Sequence, residues 1–196
     1  MTALELIAVA FSIACVVFAA RRHIGTWPAG IVAVIAYFVV FVDTKLYADA
    51  VLQLVFLAQG IYGWLRWTRG GGASESDGPV DVLRMSERVR LAVLIPLAAL
   101  LIGIVLSRYT DASRPYVDAT VSVLSLAANW LLARRMLENW VLWLTADVIY
   151  IWLFLSKGLV ASAALYTLFL ALAIAGWRAW LHSMSAADRV RMGWVA

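Results

Sequence analysis

Charge is scarce in this chain: Asp, Glu, Lys and Arg make up 14% of its 196 residues, whereas 64% are hydrophobic. A water-soluble domain carries about 25% charged residues. A water-facing surface is therefore excluded over most of the molecule, and an apolar solvent is required. The one cysteine, Cys15, excludes an internal disulfide and any Cys-based metal site. It lies in an apolar run and reads as a small buried hydrophobe. Only two histidines occur, His23 and His182, each beside an arginine-bearing segment and without a Cys, Asp or Glu set at ligand spacing. Both read as interfacial, so neither a metal nor a cofactor is expected. Basic residues number 16 against 12 acidic ones. They are scattered among loops, which fits membrane orientation rather than nucleic acid. The first apolar run lacks a basic start, Glu5 being the only charge before Arg21, and shows no clear cleavage site. It is expected to remain as a helix of the mature protein rather than to act as a signal peptide.

What is present is apolar sequence in lengths that cross a bilayer as helices. Seven spans are expected: Leu4–Ala20, Trp27–Val42, Ala48–Trp67, Leu91–Ser107, Val117–Ala133, Trp140–Leu155 and Leu159–Leu181. Residues 68–90 hold Gly70-Gly71-Gly72 and a Ser/Glu/Asp/Gly/Pro stretch, a composition that reads as a flexible loop unable to bury a core. With seven spans, Lys45, Arg108, Arg114 and Lys157 share the N-terminal side. The other 12 of the 16 basic residues fall on the opposite side. The positive-inside rule then places the N-terminus outside, and the long loop and the 182–196 tail in the cytoplasm.

An internal repeat organises these spans. An offset of 113 residues superposes Trp27–Trp67 on Trp140–Trp180 without a gap, with 15 of 41 positions identical. The pairs include Trp27/Trp140, Tyr37/Tyr150, Phe41/Phe154, Phe56/Phe169, Gly63/Gly176, Trp64/Trp177 and Trp67/Trp180, and the offset extends back to Arg21-Arg22/Arg134-Arg135. Apolar bias supplies Leu and Ala matches; it does not supply Trp, Tyr, Gly and double-Arg matches together. Helices 1–3 thus match helices 5–7, and an offset of four helices preserves orientation in the membrane. The expectation is an all-α membrane protein of seven transmembrane helices in a 3+1+3 parallel-repeat arrangement, an organisation found in transporters. Residues 1–67 form the first bundle, 91–107 an inversion linker helix, and 117–181 the second bundle.

A repeat pair places its substrate between the halves near the midplane, where polar side chains otherwise carry a cost. On helix 6, Trp140, Trp143, Asp147, Tyr150 and Phe154 follow i, i+3, i+7, i+10 and i+14 and share one face. Asp147 sits about 10 Å along the axis from Trp140. It reads either as a protonated or locally paired carboxyl, or as the counter-charge of a polar substrate. Helix 3 presents Asp49, Gln53, Phe56, Gly60 and Gly63 on one face with Gln59 at its border, and helix 5 presents Asp118, Ser122, Ser125 and Asn129. A water-filled path explains all three lines; interhelical hydrogen bonding is the plainer alternative, especially for the serines. Trp64, Trp67, Trp177 and Trp180 at helix ends read as an interfacial belt, which Trp27 and Trp140 extend. Trp143, one turn deeper beside Asp147, suits a flat cationic ligand through cation–π attraction and charge pairing. Pro28 reads as the first residue of helix 2, and Gly30 with the Gly63/Gly176 pair as points of close helix approach.

These residues also resemble a known family. Trp27-Pro28-Ala29-Gly30, Tyr47-Ala48-Asp49 through Gln53 with Gly63-Trp64, and Glu138-Asn139-Trp140-Val141-Leu142-Trp143 are similar to the PnuC family of vitamin-precursor transporters. So are Lys157-Gly158-Leu159, Leu165-Tyr166 and Gly176-Trp177-Arg178-Ala179-Trp180. The resemblance covers nearly the whole chain outside the long loop and tail. It implies a fold like an enlarged SWEET protein in a bacterial inner membrane, and uptake of nicotinamide riboside by facilitated diffusion with trapping by intracellular phosphorylation. It maps the ligand onto Trp140 and Trp143, with Gln53 and Asn129 as polar partners. Tyr150 and Phe56 line the same seam, and a homotrimer is consistent with the family. Asp147 stands where riboside carriers often have Asn, so thiamine, also a flat cation, is the neighbouring alternative, followed by riboflavin or a deoxynucleoside, which the family also carries. A membrane enzyme lacks support in the spans, which hold no His cluster, paired carboxylates or activated nucleophile. A receptor or scaffold would bind a ligand without flux.

Overall fold

The structure, a computed structural model, describes residues 2–69, 79–110 and 113–184. Residues 70–78 of the expected loop and most of the expected tail, with Arg189 and Arg191, lie outside the described residues. Among the described residues there are seven α-helices and no strand: α1 (Ala3–Ala20), α2 (Thr26–Asp43), α3 (Tyr47–Arg69), α4 (Met85–Tyr109), α5 (Pro115–Ala133), α6 (Asn139–Ser156) and α7 (Val160–His182). Six of them are long and apolar enough to cross a membrane. The remaining one, α3, has the length, but Asp49, Gln53, Gln59 and Arg66 lower its hydropathy.

The sequence repeat is carried into the backbone. α2 and α6 have the same length, as do α3 and α7, and both pairs begin and end 113 residues apart. The turns between helices repeat as well. Arg22 and Arg135, also 113 apart, both adopt φ 56° after the ends of α1 and α5. Lys45 and Gly158 follow α2 and α6 with φ 61° and 71°. Each left-handed residue lets the next amide reach back five residues: His23 N to Phe18 O at 2.9 Å and Met136 N to Leu131 O at 3.0 Å. Leu46 N to Phe41 O at 2.8 Å and Leu159 N to Phe154 O at 2.9 Å close the other two turns. These are Schellman closures that satisfy helix-end carbonyls. Three of the four use a non-glycine residue there, at a conformational cost of about 1–2 kcal/mol each.

Packing repeats too. α1 packs on α2 and α2 on α3, as α5 packs on α6 and α6 on α7. The two sets meet through α1 against α7 and α3 against α5, and the offset carries the first of these contacts onto the second. α4 packs chiefly on α5, with the Gly103 backbone set against Tyr116. α5 is therefore central, and half of it is buried. Helix faces turned away from neighbours carry Val51, Leu54, Leu97, Leu101, Val148 and Trp152, all exposed. Such apolar outward faces suit contact with lipid.

Four tryptophans shape the core at the end where α1, α3, α5 and α7 finish. Trp27 meets Trp67 edge-on at 5.3 Å and 88°, and Trp140 meets Trp180 at 5.6 Å and 88°. Gly63 and Gly176 admit the rings of Trp27 and Trp140, since a Cβ at either glycine would overlap them. The indole of Trp67 donates to Ala133 O at 3.1 Å, and that of Trp180 to Ala19 O at 3.0 Å. Trp67 and Trp180 are thus core residues, correcting their expected place in an interfacial belt; Trp27 and Trp140, 3% and 2% exposed, are core as well. Among the described residues, only Trp64 of the expected belt residues is exposed. Gly30 approaches Cys15 as expected of a close helix contact. Pro28 is the third rather than the first residue of its helix, because α2 begins at Thr26, whose hydroxyl donates to Cys15 O.

The expected loop also needs correction at both ends. α3 runs on to Arg69 and α4 starts at Met85 rather than Leu91, extending the helix through Arg88 and Arg90 beyond its apolar run. The Arg84 amide donates to the Glu87 carboxylate at 2.9 Å, which caps that extension. Val80, Val82 and Leu83 are buried, so this end of the loop does bury core residues. Asp81 pairs its backbone with the α5–α6 turn, donating to Arg135 O at 3.1 Å and accepting from Leu137 N at 2.9 Å. Glu138 completes the strap by accepting from Leu83 N at 3.1 Å and pairing with Arg88 at 2.9 Å.

Candidate functional site

The helix 6 face expected from periodicity points inward. Asp147 is 4% exposed and Trp140 2%, while Val148 and Trp152 on the other side are more than half exposed. The Asp147 carboxylate makes no hydrogen bond or ion pair with any described residue. A buried anion of this kind is costly unless a cation or donor reaches it. Tyr150, one turn on, stacks on Phe154 at 5.8 Å and contacts Tyr166 of α7 at 4.4 Å. Tyr166 in turn packs on Phe154 and, edge-on at 5.6 Å, on Phe169.

Tyr166 lies within electrostatic reach of Asp147, Tyr150 and Tyr37, the last belonging to the opposite set of three helices. Tyr150 is likewise within reach of Asp118, Asp49 and Asp147. Carboxylates on α3, α5 and α6 thus act on Tyr150, and the α6 carboxylate acts on Tyr166 as well. Asp49 and Asp118 stand in the first turns of α3 and α5, and Lys157 and Arg114 lie near Asp118. Tyr166 is absent from the sequence-based site, although it is the repeat counterpart of Gln53, which that site includes.

The remaining expected residues divide. Gln53 and Phe56 are half-buried on the inward face of α3. Trp143 is half-buried and packs against the core around Trp140. Trp140 is enclosed by Gly176 and Trp180, and its indole N–H is buried without a described partner. Trp27 repeats this arrangement, including the unpartnered N–H, so the enclosure is a property of the fold in both halves. Asn129 donates to Gln59 at 3.1 Å, and Gln59 donates to Leu126 O at 3.2 Å. This bridge ties α3 to α5, and its partner is Gln59 rather than Gln53. Ser122 returns its hydroxyl proton to Asp118 O at 2.8 Å within its own helix.

An open cleft of about 730 Å³ lies at the end where α3 and α5 finish, lined by Tyr62, Arg66, Trp67, Asp81 and Arg135 among others. Asp147, 4% exposed, is not among the residues that line that cleft.

Comparisons with known proteins agree with this fold. The profile of the family described as nicotinamide mononucleotide transporter matches residues 2–182. The nicotinamide riboside transporter PnuC of Escherichia coli (strain K12) is 27% identical, over 86% of this chain and 81% of that protein. The riboflavin/roseoflavin transporter RibM of Streptomyces davaonensis is 29% identical, over 82% of this chain and 76% of its own length. The crystal structure of the vitamin B3 transporter PnuC superposes with a TM-score of 0.75 at 21% identity, covering 92% of this chain and 81% of that one. That family consists of transporters rather than enzymes, and its members are multi-pass membrane proteins. The chain belongs to the nicotinamide mononucleotide transporter family.

Proposed function

We propose that this protein is a facilitator for a flat, cationic vitamin precursor, nicotinamide riboside first, crossing a bacterial inner membrane. Phosphorylation inside the cell traps what enters. The observation that carries this reading is Asp147, a buried carboxylate without a described partner, set among Tyr150, Tyr166 and the inward face of α6. A pyridinium ring supplies both the positive charge that the carboxylate lacks and a planar surface for aromatic contact. Trp143 stacks on that ring, Asp147 lies near its charge, and Gln53 and Asn129 hold the ribose or the amide. Tyr150 and Phe56 line the path, and Trp140 closes its lower end.

The architecture of the proposal is two parallel three-helix bundles joined by α4 as the inversion linker. The repeated helix bounds, the repeated Schellman turns and the paired contacts of α1 with α7 and α3 with α5 support it. The basic residues support an external N-terminus and a cytoplasmic end at the α5–α6 turn. Asp49 and Asp118 then form an acidic outer mouth that draws cations inward. Assembly as a homotrimer belongs to the same reading.

The kinship to RibM favours one second reading, a neutral flavin for which Asp147 accepts a hydrogen bond instead of balancing a charge. Thermal-shift titration of the purified protein with nicotinamide riboside, thiamine and riboflavin separates these. Saturable stabilisation by the riboside supports the proposal. Stabilisation by thiamine alone, or by riboflavin alone, replaces its substrate, and none by any of the three defeats it.

A further inference from the structure

The cleft at the arginine-rich end is lined by none of the residues of the Asp147 seam and has a chemistry of its own. Arg66, Arg69, Arg134 and Arg135 line it, with Asp81 as the one acidic residue among its described lining residues. Its volume, about 730 Å³, lies within the range of small-molecule sites. The plain explanation of these arginines is membrane orientation, for which extended, solvated side chains suffice. Arg135 does not behave that way. Its backbone is held at φ 56° by the turn after α5, and its carbonyl is tied to the Asp81 amide. Its guanidinium lies 4.5 Å over the ring of Trp67, and its Nε is buried without a described partner. Burial first, then the charges of Arg22 and Arg66, push its pKa down from the usual arginine value. Arg66 is steadied by Tyr62, whose hydroxyl accepts from Nη1 at 3.3 Å.

A fixed, partly desolvated guanidinium among like charges is relieved by an anion. Phosphoryl oxygens match the planar donor fork better than chloride does. The face of Trp67 is already taken by Arg135, so the geometry selects the phosphoryl group itself rather than a stacked base.

We propose that this cleft is a phosphate site, in which Arg66, Arg134 and Arg135 hold the phosphoryl group of a soluble monoester or of an anionic lipid headgroup. The proposal stands whichever solute passes the Asp147 seam. It is tested on the full chain in detergent by the melting temperature during titration with inorganic phosphate, with sodium chloride and sodium acetate at matched ionic strength. A parallel arm adds phosphatidylglycerol or phosphatidylcholine to the micelles without phosphate. The expected result is a saturable rise with phosphate, with phosphatidylglycerol, or with both, and none with the controls. A rise with phosphate identifies a soluble ligand, and one with phosphatidylglycerol alone a headgroup. Arg66→Gln with Arg134→Gln weakens the apparent affinity about tenfold or more, whereas Arg66→Lys with Arg134→Lys retains most of it. Should the double variant fail to fold, Arg66→Gln alone serves, since that side chain is exposed. No saturable rise in either arm, an equal rise with acetate, or an undiminished response in the Gln variant overturns the proposal.

Discussion

Asp147 and Val34 occupy equivalent positions of the two repeats, so the buried carboxylate has no counterpart in the other half. A group that broke the repeat only to support packing would be expected to find a partner, and among the described residues Asp147 has none. Asp147→Asn removes the charge and keeps the size. Binding of a cationic ligand should weaken about tenfold or more, as expected for loss of a charged partner, while a neutral analogue of the same shape loses far less. Equal losses for the two, measured by calorimetric titration, would make Asp147 a structural group. This residue and Tyr150 were legible because helical periodicity put them on a face with Trp140 and Phe154. Tyr166 and Gln59 were not: their roles depend on partners in other helices, which local spacing does not reveal. Trp67 and Trp180 were misread for the same reason. A Trp at a helix end has one sequence signature whether it faces lipid or core, and here a glycine on a neighbouring turn and a distant Trp decide for the core.

At the scale of elements, helix existence and length were readable because bilayer-spanning runs are long and apolar. The start of α4 was not. Its first turns carry Arg88 and Arg90, which no search for apolar runs includes, and they are helical because Glu87 caps them and Glu138 holds Arg88. The same Glu138 anchors Leu83, so Glu138→Ala releases both the strap and the start of α4. A stability loss of about 1–2 kcal/mol is expected from the exposed amide and the lost pair, read as a lower melting temperature with the helix content of the remainder unchanged. No change in melting temperature would mean that the strap is incidental. The glycine–tryptophan contacts are stiffer. Gly63→Ala and Gly176→Ala each drive a methyl into an indole ring, with about 1–3 kcal/mol of destabilisation expected from overpacking. The repeat predicts similar losses for the two variants; a tolerated Gly176→Ala beside a damaging Gly63→Ala would show that the halves pack differently.

Over the whole molecule, two sets of three helices share turns, aromatic contacts and the paired crossings that join them, and two of the three helix pairs share their bounds. On the proposed reading that duplication has a purpose, since a seam between related halves can open to either side in turn. The orientation argued from basic residues predicts that a cysteine placed at the α5–α6 turn, in a Cys15→Ser background, reacts with an impermeant thiol reagent only from the inside of oriented cells. The α6–α7 turn should react from the outside, and the reverse pattern would invert the topology. The 113-residue offset made the duplicated helices visible from sequence, whereas the basic cleft emerges only when distant segments are packed together. Passage of a flat cation through the Asp147 seam is the central proposal. Its most direct test is entry of labelled nicotinamide riboside into proteoliposomes containing the purified protein and no energy source. The account predicts saturable, downhill entry that Asp147→Asn reduces; riboside entry no faster than in protein-free vesicles, while riboflavin or thiamine enters, would contradict it.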